Sequence, residues 1–117
     1  MKRSVRTRIL IDGDPNLAKQ LAEEIIAKYE YMEIIEPHYG LTMVKVRESA
    51  QNSLFHIGEV FITECKVEVA DHVGTGIVVG MEDALAKHLA VIDAAYAAGL
   101  PETQQWNEKL QQAKQKI

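Results

Sequence analysis

Residues 63–69, Thr63-Glu64-Cys65-Lys66-Val67-Glu68-Val69, alternate between uncharged and charged side chains without interruption. A period of two places Thr63, Cys65, Val67 and Val69 on one face of an extended strand, and Phe61 extends that face. Glu64, Lys66 and Glu68 fall on the other. A segment written this way belongs to a sheet that is packed on one side and wet on the other. The rest of the chain must therefore supply a second apolar layer for that packed face.

The neighbouring segments read as partners of this strand. Tyr31-Met32-Glu33-Ile34-Ile35-Glu36 predicts a strand over 31–36, and Pro37-His38-Tyr39-Gly40 a turn. Residues 41–48 alternate again, with Thr42, Val44 and Val46 against Leu41, Met43, Lys45 and Arg47. Ser49 to Ser53 reads as a loop. The alternating strand is predicted over 54–70, and because that span is long for a strand, Gly58 is expected to mark a bulge or a break. Asp71-His72-Val73-Gly74 reads as a turn and 76–79 as a fourth strand, closed by Gly80. Short connections favour an antiparallel meander.

Helical periodicity supplies the second layer. Asp14 and Pro15 form an N-cap and first-turn pair, followed by Leu17, Ala18, Leu21, Ala22, Ile25, Ile26 and Tyr29 at helical spacing, which predicts a helix over 15–29. A shorter helix is expected over 4–11, with Ser4 as its cap. Leu85, Leu89, Ile92 and Tyr96 line a helix over 82–98, stopped by Gly99 and Pro101. Trp106, Leu110, Ala113 and Ile117 make a thin stripe on a last helix over 102–116. That stripe fits either packing on its own domain or docking on another subunit. The fold class is α+β: a single domain, 1–117, with about four antiparallel strands and helices packed on one side.

Charge and composition narrow the function classes. With 13 basic and 17 acidic residues in 117, the net charge is −4. A mildly acidic chain is a poor nucleic-acid binder, because such binding rests on neutralising phosphates. Lys2, Arg3, Arg6 and Arg8 are a local exception that reads as a solvated helix face or a patch for an acidic partner. No apolar run approaches the length of a membrane span and no apolar segment follows the basic start, so neither an anchor nor a secretory leader is expected. The one cysteine, Cys65, rules out an internal disulfide and suits a reducing cytoplasm.

No catalytic motif assembles from spacing. His38, His56, His72 and His88 form no ligand pair, so no metal is expected. Gly74-Thr75-Gly76-Ile77-Val78-Val79-Gly80 precedes a helix, but its apolar triplet lies between the glycines, unlike a dinucleotide fingerprint. Glu59, beside Gly58, and Asp93, within an apolar helix segment, are the carboxylates that stand out. Asp93 needs a donor, such as a strand or loop N–H, if it is buried. No cofactor is expected.

Three groups of residues carry a resemblance. Phe55-x-x-Gly58-Glu59-x-x-x-Thr63-x-x-x-Val67, then Gly74-x-Gly76-x-Val78-x-Gly80, then Ala86-x-x-x-Ala90-x-x-Asp93-Ala94 resemble the PhnG family, the G subunit of the bacterial carbon–phosphorus lyase system. The likeness runs over residues 5–98. It implies phosphonate use as a phosphorus source, in which this subunit works with a nucleosidase-type partner and others. Together they replace the adenine of ATP by a phosphonate, giving an α-D-ribose 1-phosphonate 5-triphosphate. A separate iron–sulfur subunit later breaks the C–P bond.

The resemblance implies a non-catalytic, cytoplasmic subunit whose family-motif or interface residues are Gly58, Glu59, Thr63, Gly80 and Asp93. On that reading Gly58 bends the long strand and Glu59 points at a neighbour's backbone or arginine. Ala86, Ala90 and Ala94 admit a close approach, and Asp93 ties its helix to an adjacent loop. The apolar edge and the Trp106 arm bury against partners, and the isolated chain is expected to form a homodimer. Two other readings compete: a stand-alone acid/base enzyme using Glu59 and Asp93, and a small-ligand regulatory module.

Overall fold

A computed structural model describes residues 2–48 and 54–115. Along the chain lie α1 (Arg3–Asp12), α2 (Pro15–Lys28), β1 (Tyr31–Glu48), β2 (Leu54–Val69), β3 (His72–Val79), α3 (Asp83–Ala98) and α4 (Pro101–Gln115). The strands form one antiparallel sheet in the order β1-β2-β3.

Three strands thus replace the expected four. Residues 31–36 and 41–48 belong to a single strand, and Pro37-His38-Tyr39-Gly40 is not a turn. The physical reason is position. β1 lies at the edge of the sheet, where a missing N–H can face away from the ladder. Pro37 falls between Ile35 and His38, where the register shifts, so the irregularity is absorbed as a bulge. Neither a bulge nor a break occurs at Gly58, which sits in unbroken register opposite Val44 within a continuous strand. The predicted loop at 49–53 lies outside the described residues.

The second hairpin is tighter than expected. Ala70 and Asp71 both have positive φ, 50° and 64°, the geometry of a two-residue turn whose twist matches its strands. β2 therefore stops at Val69, and β3 begins at His72 rather than 76, pairing with Val69. Of the turn expected over 71–74 only Asp71 belongs to the turn, and 72–74 are already strand, because a two-residue turn lets Gly74 pair with Val67.

The helices follow their caps closely. Asp14 accepts from Asn16 N at 2.9 Å and Pro15 opens α2. α3 ends on Gly99 in the left-handed region, with Leu100 N bonded to Ala95 O. Pro101 then starts α4 at once. The exception is α1: Ser4 is not its cap. The helix starts one residue earlier, at Arg3, with Lys2 at the cap position and no side-chain bond.

The helices stack in two tiers on one face of the sheet. Only α3 rests on the strands. Its Ala86, Ala90 and Ala94 are fully buried and approach Gly74 and Gly76 so closely that neither glycine has room for a Cβ. β2 contributes Thr63, Cys65, Val67 and Val69 to the same layer, all fully buried, as the alternation requires. The outer side of α3 is covered by Ala18, Leu21, Ala22 and Ile25 of α2, with Ile9 and Leu10 of α1 completing the core.

Trp106 and Leu110 of α4 are fully buried in that same core, and Trp106 Nε1 donates to Glu24 at 2.6 Å. This corrects the expectation that the Trp106 arm buries against partner subunits: the stripe is used within its own chain. Ile117 lies outside the described residues.

What projects is the first hairpin. β3 pairs with β2 only as far as Val79 opposite Ile62, while β1 and β2 continue together to Glu48 and Leu54. At ~3.3 Å per residue the two-stranded ribbon from Phe61 outward is about 25 Å long. The radius of gyration is accordingly 15.7 Å, against about 13 Å for a compact chain of this length.

Candidate functional site

The residues singled out in sequence separate into three places. Thr63 and Gly80 meet. Thr63 Oγ1 donates to Gly80 O at 2.5 Å and accepts from Glu82 N at 3.1 Å, and Gly80 N donates to Phe61 O at 2.8 Å. Gly80 takes φ of 92°, which a side chain would strain. This is a latch that turns the chain from β3 into α3. The buried hydroxyl thus spends its donor and one acceptor position within the chain.

Asp93 holds the second place. Its carboxylate receives Arg3 from Nε at 2.9 Å and from a terminal nitrogen at 3.0 Å, Arg6 at 3.0 Å, and Thr75 N at 2.9 Å. Of the basic start of the chain, Lys2, Arg3 and Arg8 remain on the solvated face and Arg6 is drawn in. Arg6 is 7% exposed and lies over the Tyr96 ring at 3.9 Å. Burial lowers the Arg6 pKa, and Asp93 and Tyr96 oppose that shift. Asp93 ties α3 to α1 and to a strand N–H, one of the two kinds of backbone donor expected for it.

Thr75 explains why the strand N–H is available. Val69 and His72 close the two-residue turn, and pairing alternates from there, so Val73, Thr75, Ile77 and Val79 direct their backbone groups away from β2. Asp93 covers one of these exposed donors. Beside it lies a cleft of about 650 Å³ between α1 and β3, lined by Arg3, Arg6, Thr75, Ile77, Leu89 and Asp93. Its cations are already engaged, Arg8 with Asp12 at 3.5 Å included.

Glu59 stands elsewhere. It is exposed on the ribbon, opposite Met43, and Gly58 beside it faces Val44. Thr75, the backbone partner of Asp93, pairs with Lys66. Lys66 and Glu59 are seven positions apart along the strand, roughly 23 Å. The pairing of Glu59 with Asp93 as acid and base is therefore not assembled within this chain. Among the described residues no three His, Cys, Asp or Glu side chains converge on a metal position. Cys65 is fully buried, and burial, with Glu33 adding to it, pushes its thiol up to about 11. No described helix is long and apolar enough to cross a membrane.

The ribbon is the third place, and it is the part left uncovered. On the face that α3 would cover if it were longer, Leu41 is 66% exposed, Met43 65% and Phe61 40%. Tyr39 stacks on Phe61 at 5.4 Å and donates to Asp83 at 2.5 Å, which anchors the root of the ribbon to the start of α3. Where β3 runs out, Met81 is 69% exposed, and so is Val79, which pairs with Ile62 and so lies on the other face of the sheet. A contiguous apolar shelf on a two-stranded ribbon marks an interaction surface, since such ribbons are marginal alone in water. Sequence reading did not single out Leu41, Met43, Val79 or Met81. The available signal was the apolar spacing in 39–43 with no matching helix long enough to cover it.

A family model described as phosphonate metabolism protein PhnG matches residues 1–117, the full length of the chain. A search of curated proteins returns no match.

Proposed function

From the premise that the chain belongs to the PhnG family of the carbon–phosphorus lyase complex, we propose that it is an accessory subunit without an active site of its own. Its work is to support the subunits that replace the adenine of ATP by a phosphonate. In that exchange the ribose C1′–N bond to adenine breaks, a bond from C1′ to a phosphonate oxygen forms, and adenine leaves. The product is an α-D-ribose 1-phosphonate 5-triphosphate. The main partner is the nucleosidase-type subunit, in a cytoplasmic assembly.

The supporting observation is the ribbon. Leu41, Met43 and Phe61 expose apolar surface that no helix of this chain covers. A neighbouring subunit laid on that shelf would remove it from water, at ~25 cal/mol per Å². The polar clusters at Thr63 and Asp93, by contrast, are already satisfied inside the chain. Without partners the same shelf would draw two copies together, so the purified chain is expected to form a homodimer.

Co-expression with the nucleosidase-type subunit, followed by size exclusion and an assay for adenine release, tests the role. The wild-type chain is expected to co-elute and to raise adenine release, while alone it releases none. The double variant Leu41→Asp with Met43→Asp should lose both co-elution and stimulation while keeping its thermal unfolding. Adenine release by the purified, monodisperse chain alone would refute the accessory role.

A further inference from the structure

The ribbon has a second property that depends on the backbone and not on the shelf. β3 stops at Val79, and Gly80 N makes the last bond on that side, to Phe61 O. Because pairing alternates, Phe61 faces the β3 side, and so do Glu59 and Ile57 further out. Among the described residues no strand meets their N–H and C=O groups. The β3 line therefore continues as an open edge alongside β2 from Val60 to Leu54, roughly 20 Å long. Its inner end is closed by the Gly80–Glu82 turn.

Resting on the accessory role, we infer that this edge takes up one extended segment of another subunit, which continues the line of β3 and carries a Lys or Arg near its inner end. The charge argument comes from the side chains around that end. Glu59 lies on the same sheet face as Phe61 and Thr63. Glu82 and Asp83 stand over that face at the start of α3, Glu82 through its N–H to Thr63 and Asp83 through Tyr39. All three carboxylates are exposed. The apolar groups on this face are Phe61, with Leu41 and Met43 across the hairpin, also exposed. A segment bonded to the backbone of Ile57 and Glu59 sets alternate side chains on this face, where a base meets three acids and apolar groups meet the rest.

The chain's own copies fit less well. Residues 54–60, Leu-Phe-His-Ile-Gly-Glu-Val, contain no Lys or Arg, so pairing this edge with itself supplies no base for Glu59. The opposite edge, on β1, is a poorer template, because its register shifts twice around Ile35 and Pro37.

Hydrogen exchange on the wild-type chain, isolated and within the co-expressed carbon–phosphorus lyase assembly, tests this without any substitution. The amides of Ile57 and Glu59 are expected to slow by about tenfold or more on assembly. Glu59→Pro should weaken co-elution while leaving the hairpin intact, since that N–H is not used in pairing with β1. Glu59→Lys should weaken it about tenfold, and Glu59→Gln less. Unchanged exchange at Ile57 and Glu59 in a formed assembly would overturn the inference while leaving the accessory role standing. So would equal protection in the isolated chain as it dimerises, which would assign the edge to a second copy. Failure of the wild-type chain to join any of these subunits would instead refute the accessory role itself.

Discussion

Replacing Gly76 by Ala tests how α3 is held on the sheet. A Cβ built on Gly76 overlaps the carbonyl oxygen of Ala86 and stands 2.8 Å from Ala90 N. Both obstructing atoms are main chain, so no rotamer change can relieve the overlap. To restore ordinary contact, α3 must withdraw from β3 by roughly 1 Å or more. A gap of that size forfeits a quarter to a half of each dispersion contact between the Ala86-Ala90-Ala94 face and the strands. The helix cannot simply translate outward, because its other side is packed against the fully buried Leu21 and Ile25 of α2. Overpacking usually costs 1–3 kcal/mol, and a main-chain obstruction belongs at the upper end, about 3 kcal/mol. For a chain of this size that lowers Tm by about 10–15 °C. Urea unfolding followed by Trp106 fluorescence measures it, and Gly40→Ala is the matched control, since nothing lies within 4 Å of its Cβ. A Gly76→Ala midpoint equal to that of Gly40→Ala would show that α3 does not rest on β3 in this way.

Three other outcomes are expected. Asp93→Asn leaves the buried Arg6 without its carboxylate and should cost about 2–4 kcal/mol in urea unfolding, whereas Arg3→Ala, whose side chain is 64% exposed, should cost under about 1 kcal/mol; equal losses would refute the buried ion pair. Cys65 should resist thiol reagents at mildly alkaline pH in the native state and react fully in denaturant, because burial keeps it protonated and enclosed; prompt native labelling would contradict that. Glu102 is held below the ordinary 4.5 first by a backbone N–H at the start of α4, with Tyr29 and Lys28 adding to the effect. A depressed folded pKa contributes stability that is complete above 4.5 and lost as pH falls through the lower folded value. Glu102→Gln should therefore flatten the acid side of the stability profile, and an unchanged slope below that pH would argue against the contact.

Local patterns were readable wherever the cause was local. Alternation over Thr63–Val69 placed Cys65, Val67 and Val69 in the core, as found. Asp14 with Pro15 marked the start of α2, and Gly99 the end of α3, because caps act within a few residues of the chain. Reading Pro37 as a turn went wrong for the opposite reason. A proline stops a central strand but not an edge strand, and edge position depends on which strands pair. The turn at 71–74 was misplaced because Ala70 and Asp71, neither of them glycine, both adopt positive φ.

The sequence by itself determined the class of the fold and which residues share a face of the central strand. It also placed the chain in its family through Gly58-Glu59, the glycines of β3 and the alanines of α3. Tertiary structure alone decided that Trp106 is internal, that Asp93 is shared among α1, α3 and β3, and that Glu59 stands far from it on an open edge. The physical reason is one of range. Propensity and periodicity are set by neighbours in the chain, whereas which apolar face remains uncovered depends on the relative lengths of elements distant in sequence. Here β1 and β2 outrun both β3 and α3, and the surface left bare by that difference is the one proposed to meet a partner.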